Sequence, residues 1–529
     1  MNLPPTQSVS RRTVLQRAAL GFGGIALTDM LARRALAELQ NAAKAQGWQS
    51  LGFGGAVRPP HHTPRAKRVI YIFLDGGFSH IDSFDHKPLV QRDDGKPLPL
   101  SIHKPKFTFA PQGTILKSPW TFKQYGRCGK WASNLFPHIN GLIDQLTFIH
   151  SLRHDNNDHI TAKSFIHTGS GREARPTLGS WLVYGLGSEN ENLPAYIDIT
   201  PDNNRGRPSA FLPAQFAGTP IRKPDKGGKD VQWDNLTTPA ARKPPIRAGA
   251  KTKAEQRDPD AAAELAAGSE QQREHLDLVQ KLNRLRLSGD AAKETHDDAG
   301  RHARDAALEA EIANMELAFR MQAEAPGILS LHGESEATMN LYGIGEPDTT
   351  EFGRALLLAR RFAEAGVRYI TVTHSTSKYG NLWDQHGNLF EGHSGNARAV
   401  DKPVAGFLRD LRARGMLDDT LVMFGSEFGR TPTFEFMDGG GGRLRNGRDH
   451  NPYGFTMWFA GGGMKPGTSY GATDDYGYHA VEGRTSVHDL HATILHLMGI
   501  DHEKLTYRHA GRDYRLTDVY GQVVEELLA

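Results

Sequence analysis

Cysteine is nearly absent from this chain. Its 529 residues include a single cysteine, Cys128. An intrachain disulfide framework and a zinc site built from several thiolates are therefore excluded. Histidine, in contrast, occurs 24 times. Several of these histidines stand in loops rich in Asp and Asn, which favours metal ligation through nitrogen and oxygen.

The sequence also lacks a dominant charge and an apolar run long enough to cross a membrane. Its 63 basic and 60 acidic residues give a net charge of +3. Because there is no stripe of Lys and Arg with interleaved aromatic residues, we expect no nucleic-acid partner. The apolar run from Ala18 to Leu27 is short and Gly-rich, so we expect no membrane span in the mature chain. The oligomeric state stays open.

The N-terminal segment has the three parts of an export signal in order. Arg11 and Arg12 precede the apolar run, and Ala35-Leu36-Ala37 offers a cleavage site between small residues. This pattern predicts a twin-arginine signal peptide over residues 1–37 and export to the periplasm or cell envelope. The alternative is an amphipathic helix with a chance arginine pair. The twin-arginine route carries folded proteins, which suits a protein that acquires a cofactor before export.

After a loose lead-in at residues 38–65, strands and helices alternate to the end of the chain. The predicted strands lie at 68–74, 146–149, 368–373, 420–425 and 456–460, and the predicted helices at 180–184, 352–365, 397–414 and 488–498. The alternation predicts an α/β domain over residues 66–529, a doubly wound, mostly parallel sheet flanked by helices. Residues from about 220 to 325 read as an insertion, first loop and then two helices. It is either a lid or packing arm, or a solvated helical hairpin without a chemical role.

Acidic and imidazole side chains follow the apolar strands. Asp75 comes directly after the strand at 68–74 and precedes two glycines, although an ordinary Asp-Gly turn is the alternative. Asp384 and His386 stand two residues apart, so on an extended segment they face the same side.

Two further segments add a glutamate, an arginine and a histidine. Glu427 and Arg430 lie just beyond the strand ending at 425, where they suit a metal ligand and an anion clamp or, alternatively, an internal ion pair. His450 lies before the strand at 456–460 and has to reach the site from a loop, unless that loop is merely solvated and basic. Ligands delivered to the carboxyl edge of a parallel sheet predict a divalent metal site. The mixture of His and carboxylate favours zinc or manganese, with calcium and magnesium as alternatives.

The motifs of the chain resemble one family. They are the Arg-Arg leader, Leu74–Gly77, Arg175–Trp181, Ser426–Pro432, Gly447–His450 and His488–Leu495. Together they resemble the bacterial exported, sulfatase-like proteins called domain of unknown function 1501, within the alkaline phosphatase and sulfatase superfamily. The resemblance implies an alkaline phosphatase-like fold. It also implies one metal position with Asp75 and Glu427, and another with Asp384, His386 and His450.

The same resemblance shows two departures. Phe428 stands where the superfamily often has a histidine ligand. Sulfatases of the superfamily carry Cys or Ser nine residues before a Thr-Gly pair, whereas this chain has His159 nine residues before Thr168-Gly169 and Lys163 at the position of an arginine. A formylglycine mechanism is therefore not supported. His159 can serve as nucleophile, metal ligand or general acid–base.

Two function hypotheses follow. The first is an exported, metal-dependent hydrolase of sulfate or phosphate esters, acting on an anionic substrate such as a sulfated polysaccharide. Metal-activated water or His159 attacks, Arg430 and Lys163 stabilise charge, and Ser79 is a fallback hydroxyl nucleophile. The second is a non-catalytic protein on the same fold that binds sulfated or phosphorylated glycans.

Overall fold

A computed structural model describes residues 58–102, 112–200, 209–222, 327–375, 382–435 and 446–529. The strands are β1 Arg68–Leu74, β2 Gln112–Ile115, β3 Phe122–Tyr125, β4 Lys130–Ser133, β5 Leu146–Arg153, β6 Tyr196–Thr200, β7 Thr219–Arg222, β8 Tyr369–His374, β9 Thr420–Gly425, β10 Gly429–Glu435, β11 Arg448–Asn451, β12 Phe455–Ala460, β13 Thr468–Tyr470, β14 Ala472–Thr473, β15 Ala480–Glu482, β16 Thr485–Ser486, β17 Tyr507–His509 and β18 Arg512–Tyr514. The α-helices are α1 Pro88–Arg92, α2 Pro137–Asn140, α3 His159–Thr168, α4 Leu178–Leu186, α5 Glu336–Leu341, α6 Thr350–Glu364, α7 Leu389–Ala413 and α8 Val487–Leu497.

Nine strands form the central sheet. Their order is β13-β5-β12-β9-β1-β8-β6-β7, with β16 also paired to β5. Only β12 runs antiparallel to its neighbours, since every other pair in this sheet is parallel. The prediction of a mostly parallel sheet is therefore confirmed.

Helices cover both faces of this sheet. Along β1, Ile70 and Ile72 pack in one core with residues of α6 and α7. Val69 and Tyr71, which alternate with them, pack in a second core with residues of α4 and α8. A strand buried on both faces requires a continuous apolar sequence, which β1 has. The doubly wound arrangement is confirmed.

A small antiparallel sheet, β11-β10-β2, stands apart from the central one. The sequence pattern did not predict β10, which contains Pro432 and has polar residues at buried positions. It also placed His450 in a loop, and this was wrong, because His450 lies in β11. Helix α7 begins at Leu389, eight residues before the predicted start. Its first turns include Gly392, where an added Cβ would lie 2.5 Å from the side chain of Gln385, so packing overrides low helix propensity.

Several predicted segments lie outside the described residues. These are the signal peptide, the lead-in as far as residue 57, and the insertion from 223 to 326, including its two predicted helices. The end of the lead-in is bonded to the domain, since Arg65 N donates to Leu497 O at 2.8 Å. Within the described ranges, no helix has the length and apolar character needed to cross a bilayer.

Candidate metal centre

The carboxyl ends of β9, β1 and β8 lie side by side at one edge of the central sheet. Asp75 follows β1 directly, and Glu427 follows β9 by two residues. A turn carrying Trp383 crosses this edge, because its backbone N donates to Asp75 O at 3.0 Å. Gly76 makes the crossing possible, since its φ is +116° and an added Cβ would lie 2.8 Å from the backbone N of Asp384. The predicted ligands therefore meet where ligands bind in such sheets.

Asp384, His386 and His450 converge on one point. His386 Nε2 lies 2.9 Å from Asp384 Oδ1 and 3.0 Å from His450 Nε2. His450 Nε2 lies 3.1 Å from the same carboxylate oxygen. The structure thus brings together the three residues that the family resemblance assigned to one metal position.

The outer nitrogens of both imidazoles face acceptors. His450 Nδ1 lies 2.6 Å from the carbonyl oxygen of Asn157, which can only accept, so this nitrogen carries a proton. His386 Nδ1 bonds to Glu435 Oε2 in the same way. Burial lowers the pKa of His386, but contacts with Asp384 and Glu435 prevail and raise it to about 9, so without a metal its ring carries a second proton. Each Nε2 atom faces the shared point, where metal binding would release that proton. A cation at that point satisfies both Nε2 atoms, and the carboxylate behind His386 makes it a better ligand.

The surroundings of Asp384 keep its carboxylate ionised. Burial by itself raises the pKa of Asp384, but contacts with His159, His386 and His450 outweigh burial and hold it well below its usual range. The Arg430 guanidinium, with Nη2 2.6 Å from Asp384 Oδ1, acts in the same direction. Burial lowers the pKa of His450 to about 4, so this imidazole is neutral and able to bind a metal ion.

His159 connects the two halves of the site. It is the first residue of α3, whose N-terminus is capped by Asp158. His159 Nδ1 lies 2.7 Å from Glu427 Oε1, and Nε2 lies 3.2 Å from Asp384 Oδ2. Burial lowers its pKa, but the contacts with these carboxylates prevail and raise it. Ligand atoms of His159, Asp384, His386 and His450 all lie within 4.8 Å of one another, so His159 is placed to act as a fourth ligand.

A lysine, not a third ligand, accompanies Asp75 and Glu427. Lys163 lies one turn after His159 in α3, and its Nζ is 2.7 Å from Asp75 Oδ1. Glu427 is fully buried and accepts a bond of 3.1 Å from Gly76 N. Burial and the Glu427 charge raise the pKa of Asp75, against the effect of Lys163. Among the described residues, neither carboxylate belongs to a group of three candidate ligands. Lys163 thus supplies the cation at the position that the resemblance gave to a metal.

Arg430 is occupied within the protein. Its Nε donates to Gly77 O at 2.7 Å, its Nη1 donates to Arg448 O at 3.1 Å, and its Nη2 bonds to Gly76 O and Asp384. The side chain has no exposed surface. Arg430 therefore orients Asp384 instead of presenting the open anion clamp that the sequence suggested. The alternative pairing with the nearby glutamate is not formed either.

The donor set fits a divalent cation. Zinc binds nitrogen and oxygen donors tetrahedrally at about 2.0–2.2 Å, which puts neighbouring donors roughly 3.3–3.6 Å apart. The three distances among Asp384, His386 and His450 are 2.9, 3.0 and 3.1 Å. Two or three imidazoles with one carboxylate suit zinc or manganese, whereas calcium and magnesium prefer oxygen ligands throughout.

Residues 66–528 match the family described as "Protein of unknown function (DUF1501)". The chain belongs to the DUF1501 family. This confirms the family expected from the motifs, all of which except the Arg-Arg leader fall inside the matched range. Among curated proteins, no sequence matches this DUF1501 protein.

Solved structures of other proteins share a weak likeness with it. The lipoteichoic acid synthase LtaP from Listeria monocytogenes is 10% identical, with 87% of this chain and 78% of that chain covered and a TM-score of 0.31. The sulfatase PsFucS1 from Pseudoalteromonas sp. is 12% identical, with 89% and 72% covered and a TM-score of 0.32. The phosphonate monoester hydrolase of Agrobacterium radiobacter is 12% identical, with 83% and 74% covered and a TM-score of 0.28. Likenesses of this size say nothing about the substrate.

Phe428 packs an apolar ring against the histidines of the DUF1501 centre. Its ring centroid lies 4.4 Å from that of His450 and 5.1 Å from that of His159. Gly77 makes room for the ring, since an added Cβ would lie 2.5 Å from it. A phenyl ring thus stands where the superfamily often has a ligand.

Glu435 and Asp449 belong to the centre although the sequence pattern did not single them out. Candidate ligand atoms of His386, Glu435 and Asp449 lie within 4.8 Å of one another, and both carboxylates are buried. Burial together with Glu435 raises the pKa of Asp449 to about 6. Asp449 could have been identified from the sequence, because it adjoins the predicted ligand His450. Glu435 could not, because it ends a strand that the sequence pattern did not predict.

Ser79, the fallback nucleophile, lies away from solvent. Its side chain is fully buried, and its Oγ donates to Asp82 Oδ2 at 2.5 Å. Asp82 in turn accepts from Arg448 Nε at 2.8 Å. The hydroxyl is therefore part of a buried polar network and is closed to an ester substrate.

Proposed function

We propose that this DUF1501 protein is an exported, metal-dependent hydrolase of sulfate or phosphate esters. The observation that carries the proposal is the convergence of Asp384, His386 and His450, with both imidazoles fixed through their outer nitrogens. Asp384, His386 and His450 would hold a zinc or manganese ion, which would polarise an ester oxygen and make a bound water acidic near neutral pH.

The side chains of the chain have separate parts in this reaction. Water adds to sulfur or phosphorus, the bond to the ester oxygen breaks, and the leaving oxygen takes a proton. His159 is the group best placed to move a proton, because its side chain is 25% exposed and its two ring nitrogens face Glu427 Oε1 and Asp384 Oδ2. Lys163 is 31% exposed and adds positive charge next to an incoming anion, while Arg430 holds Asp384 in place.

The proposal is tested on purified full-length protein with aryl sulfate and aryl phosphate substrates. We expect turnover that a chelator removes and that zinc or manganese restores. His386→Ala and His450→Ala should abolish turnover, whereas His332→Ala, which changes an exposed histidine, should not. Absence of a bound divalent ion, together with failure of any ion to produce turnover, would end this proposal.

A specific observation favours the second candidate, a glycan-binding protein without catalysis. Arg430 is wholly internal and Lys163 is bonded to Asp75, so fewer cationic groups are available to stabilise a transition state. Saturable binding of a sulfated polysaccharide that survives both chelator and His386→Ala, without turnover, would establish this alternative.

Export to the periplasm or cell envelope is proposed on the Arg11-Arg12 leader alone. The anionic ester, including a sulfated polysaccharide, is proposed on the metal centre and the adjoining Lys163.

A further inference from the structure

A cavity lies away from the metal centre. It has a volume of about 500 Å³, a size that suits a small cyclic ligand. Its walls come from the loop before α1, from the β3–β4 hairpin, and from β5, β13 and β14. None of the residues assigned above to the metal centre lines it. The lining residues are Phe84, Asp85, His86, Pro88, Cys128, Gly129, Lys130, Trp131, His150, Ser469, Gly471 and Ala472.

Lys130 gives this cavity a cation, and the carboxylate of Asp85 acts on its charge without pairing with it. Its Nζ bonds to His150 Nε2 and lies 4.9 Å from the centre of the Phe148 ring. Within the described part of the chain, Lys130 forms no ion pair with an acidic side chain. An ammonium group has three N–H donors, and His150 uses one of them. The other donors remain for a ligand.

Neighbouring groups leave this charge in place. His150 Nδ1 bonds to Thr456 Oγ1 at 2.9 Å, and burial holds the pKa of His150 well below its usual value, so the ring is a neutral acceptor. Asp85 also lines the cavity, but its carboxylate pairs with Lys87 at 3.1 Å and accepts from Thr473 Oγ1 at 2.5 Å. Burial lowers the pKa of Lys130 to about 8, which still leaves the amine mostly protonated near neutral pH.

An aromatic stack borders the same cavity. The His86 ring lies between Trp131, at 4.5 Å and an interplanar angle of 27°, and Phe122, at 4.7 Å and 23°. Trp131 is 42% exposed, which is unusual for the largest apolar side chain. An indole that stacks on His86 and is partly exposed at the cavity wall offers a platform for the C–H face of a ring.

We propose that this cavity is a second ligand site, which binds an acidic sugar through its anionic group on Lys130 and through its ring on Trp131. A cation without an ion pair selects the charged group, and the aromatic platform selects a cyclic body. A simple inorganic anion would use only the lysine, and an uncharged sugar would use only the indole. The site is independent of the hydrolase proposed above, because the two share no residue.

The test uses galacturonate and glucose 6-sulfate as probes and glucose as the neutral comparison. Calorimetry on the full-length protein should show that both acidic probes bind more tightly than glucose. Lys130→Met and Trp131→Ala should each weaken binding by about ten- to a hundred-fold, as expected for a charge-assisted contact or a buried aromatic contact. Lys123→Met, which removes an exposed lysine of the adjacent strand β3, should leave binding unchanged, and so should His386→Ala.

Cys128 supplies a measurement that needs no variant. It lines the cavity, is exposed and is the single thiol of the chain. Each acidic probe should slow its alkylation by a maleimide, and glucose at the same concentration should not. Equal binding of glucose and the acidic probes, unchanged binding in Lys130→Met, or unprotected alkylation of Cys128 would each overturn the proposal. Loss of binding in His386→Ala would show that the ligand belongs to the metal centre instead.

Discussion

Glu435 offers the sharpest test of the metal centre, because it acts on the centre through His386. Its carboxylate bonds to His386 Nδ1, and its side chain is only 5% exposed. A hydrogen bond of this kind, between a buried carboxylate and an imidazole, contributes on the order of 1.5–3 kcal/mol. That energy corresponds to a change of roughly ten- to 150-fold in a dissociation constant. The estimate agrees with the loss of about ten- to a hundred-fold seen when such supporting groups are removed from metal sites.

The two substitutions at Glu435 should differ. Glu435→Gln keeps an acceptor for the Nδ1 proton but loses the charge, so we expect zinc affinity to fall by about tenfold. Glu435→Leu loses both the acceptor and the charge, so we expect zinc affinity to fall by an amount near the upper end of the range given above. Affinity is measured by competition with a chromophoric chelator, and thermal unfolding of the metal-free proteins checks that the fold is kept. Glu482→Gln, at an exposed position, is the matched control.

The result that would refute the reasoning is specific. If Glu435→Leu folds and binds zinc within twofold of the unchanged protein, then His386 is not a ligand held by Glu435. Zinc would then be bound without any support from Glu435, and the contact between Glu435 and His386 would have no part in metal affinity. A loss confined to Glu435→Leu would instead mean that the acceptor matters and the charge does not.

Three further predictions concern charged side chains. Lys163→Met should raise the number of zinc ions bound per chain from one to two in elemental analysis, because it frees Asp75 for a second ion; an unchanged count would contradict this. Burial raises the pKa of Asp401 to about 7, so the native protein retains a proton that the unfolded chain loses. The free energy of unfolding should therefore fall by on the order of 4 kcal/mol as the pH rises from about 4 to about 7. Urea titrations of Asp401→Asn should show no such dependence of the unfolding free energy on pH. Replacing Arg11 and Arg12 together by lysine should retain the protein in the cytoplasm on cell fractionation, and unchanged export would remove the twin-arginine assignment.

The sequence predicted the strands that deliver the ligands because those strands are buried on both faces. A strand such as β1 must be apolar at every position, and such a run between polar segments is unambiguous. The residues just beyond these runs then had to gather at one edge of the sheet. Asp75 and Glu427 were identified in this way, although their partners were not.

Other parts of the centre could not be predicted, because they depend on contacts between distant residues. Strand β10 belongs to a small polar sheet and carries a proline, so its pattern resembles a loop. Lys163 meets Asp75 across 88 positions of the chain, and Glu435 meets His386 across 49. Nothing in a single sequence distinguishes a lysine that pairs with a carboxylate from one that faces solvent. Arg430 was misjudged for the same reason, since an arginine beside a strand end can point outwards or inwards.

If the proposed function holds, these contacts favour a centre for one divalent ion. Asp384, His386 and His450 form a complete acceptor cluster, whereas Asp75 and Glu427 have no third ligand among the described residues. The first turn of α3 fills that gap, because His159 bonds to Glu427 while Lys163 bonds to Asp75. A second ion would have to displace the Lys163 ammonium, which already occupies the oxygen that the ion would use. In a two-ion site a second metal ion would place positive charge beside Asp75 and Glu427. Here the first turn of α3, with Lys163 and His159, occupies that place.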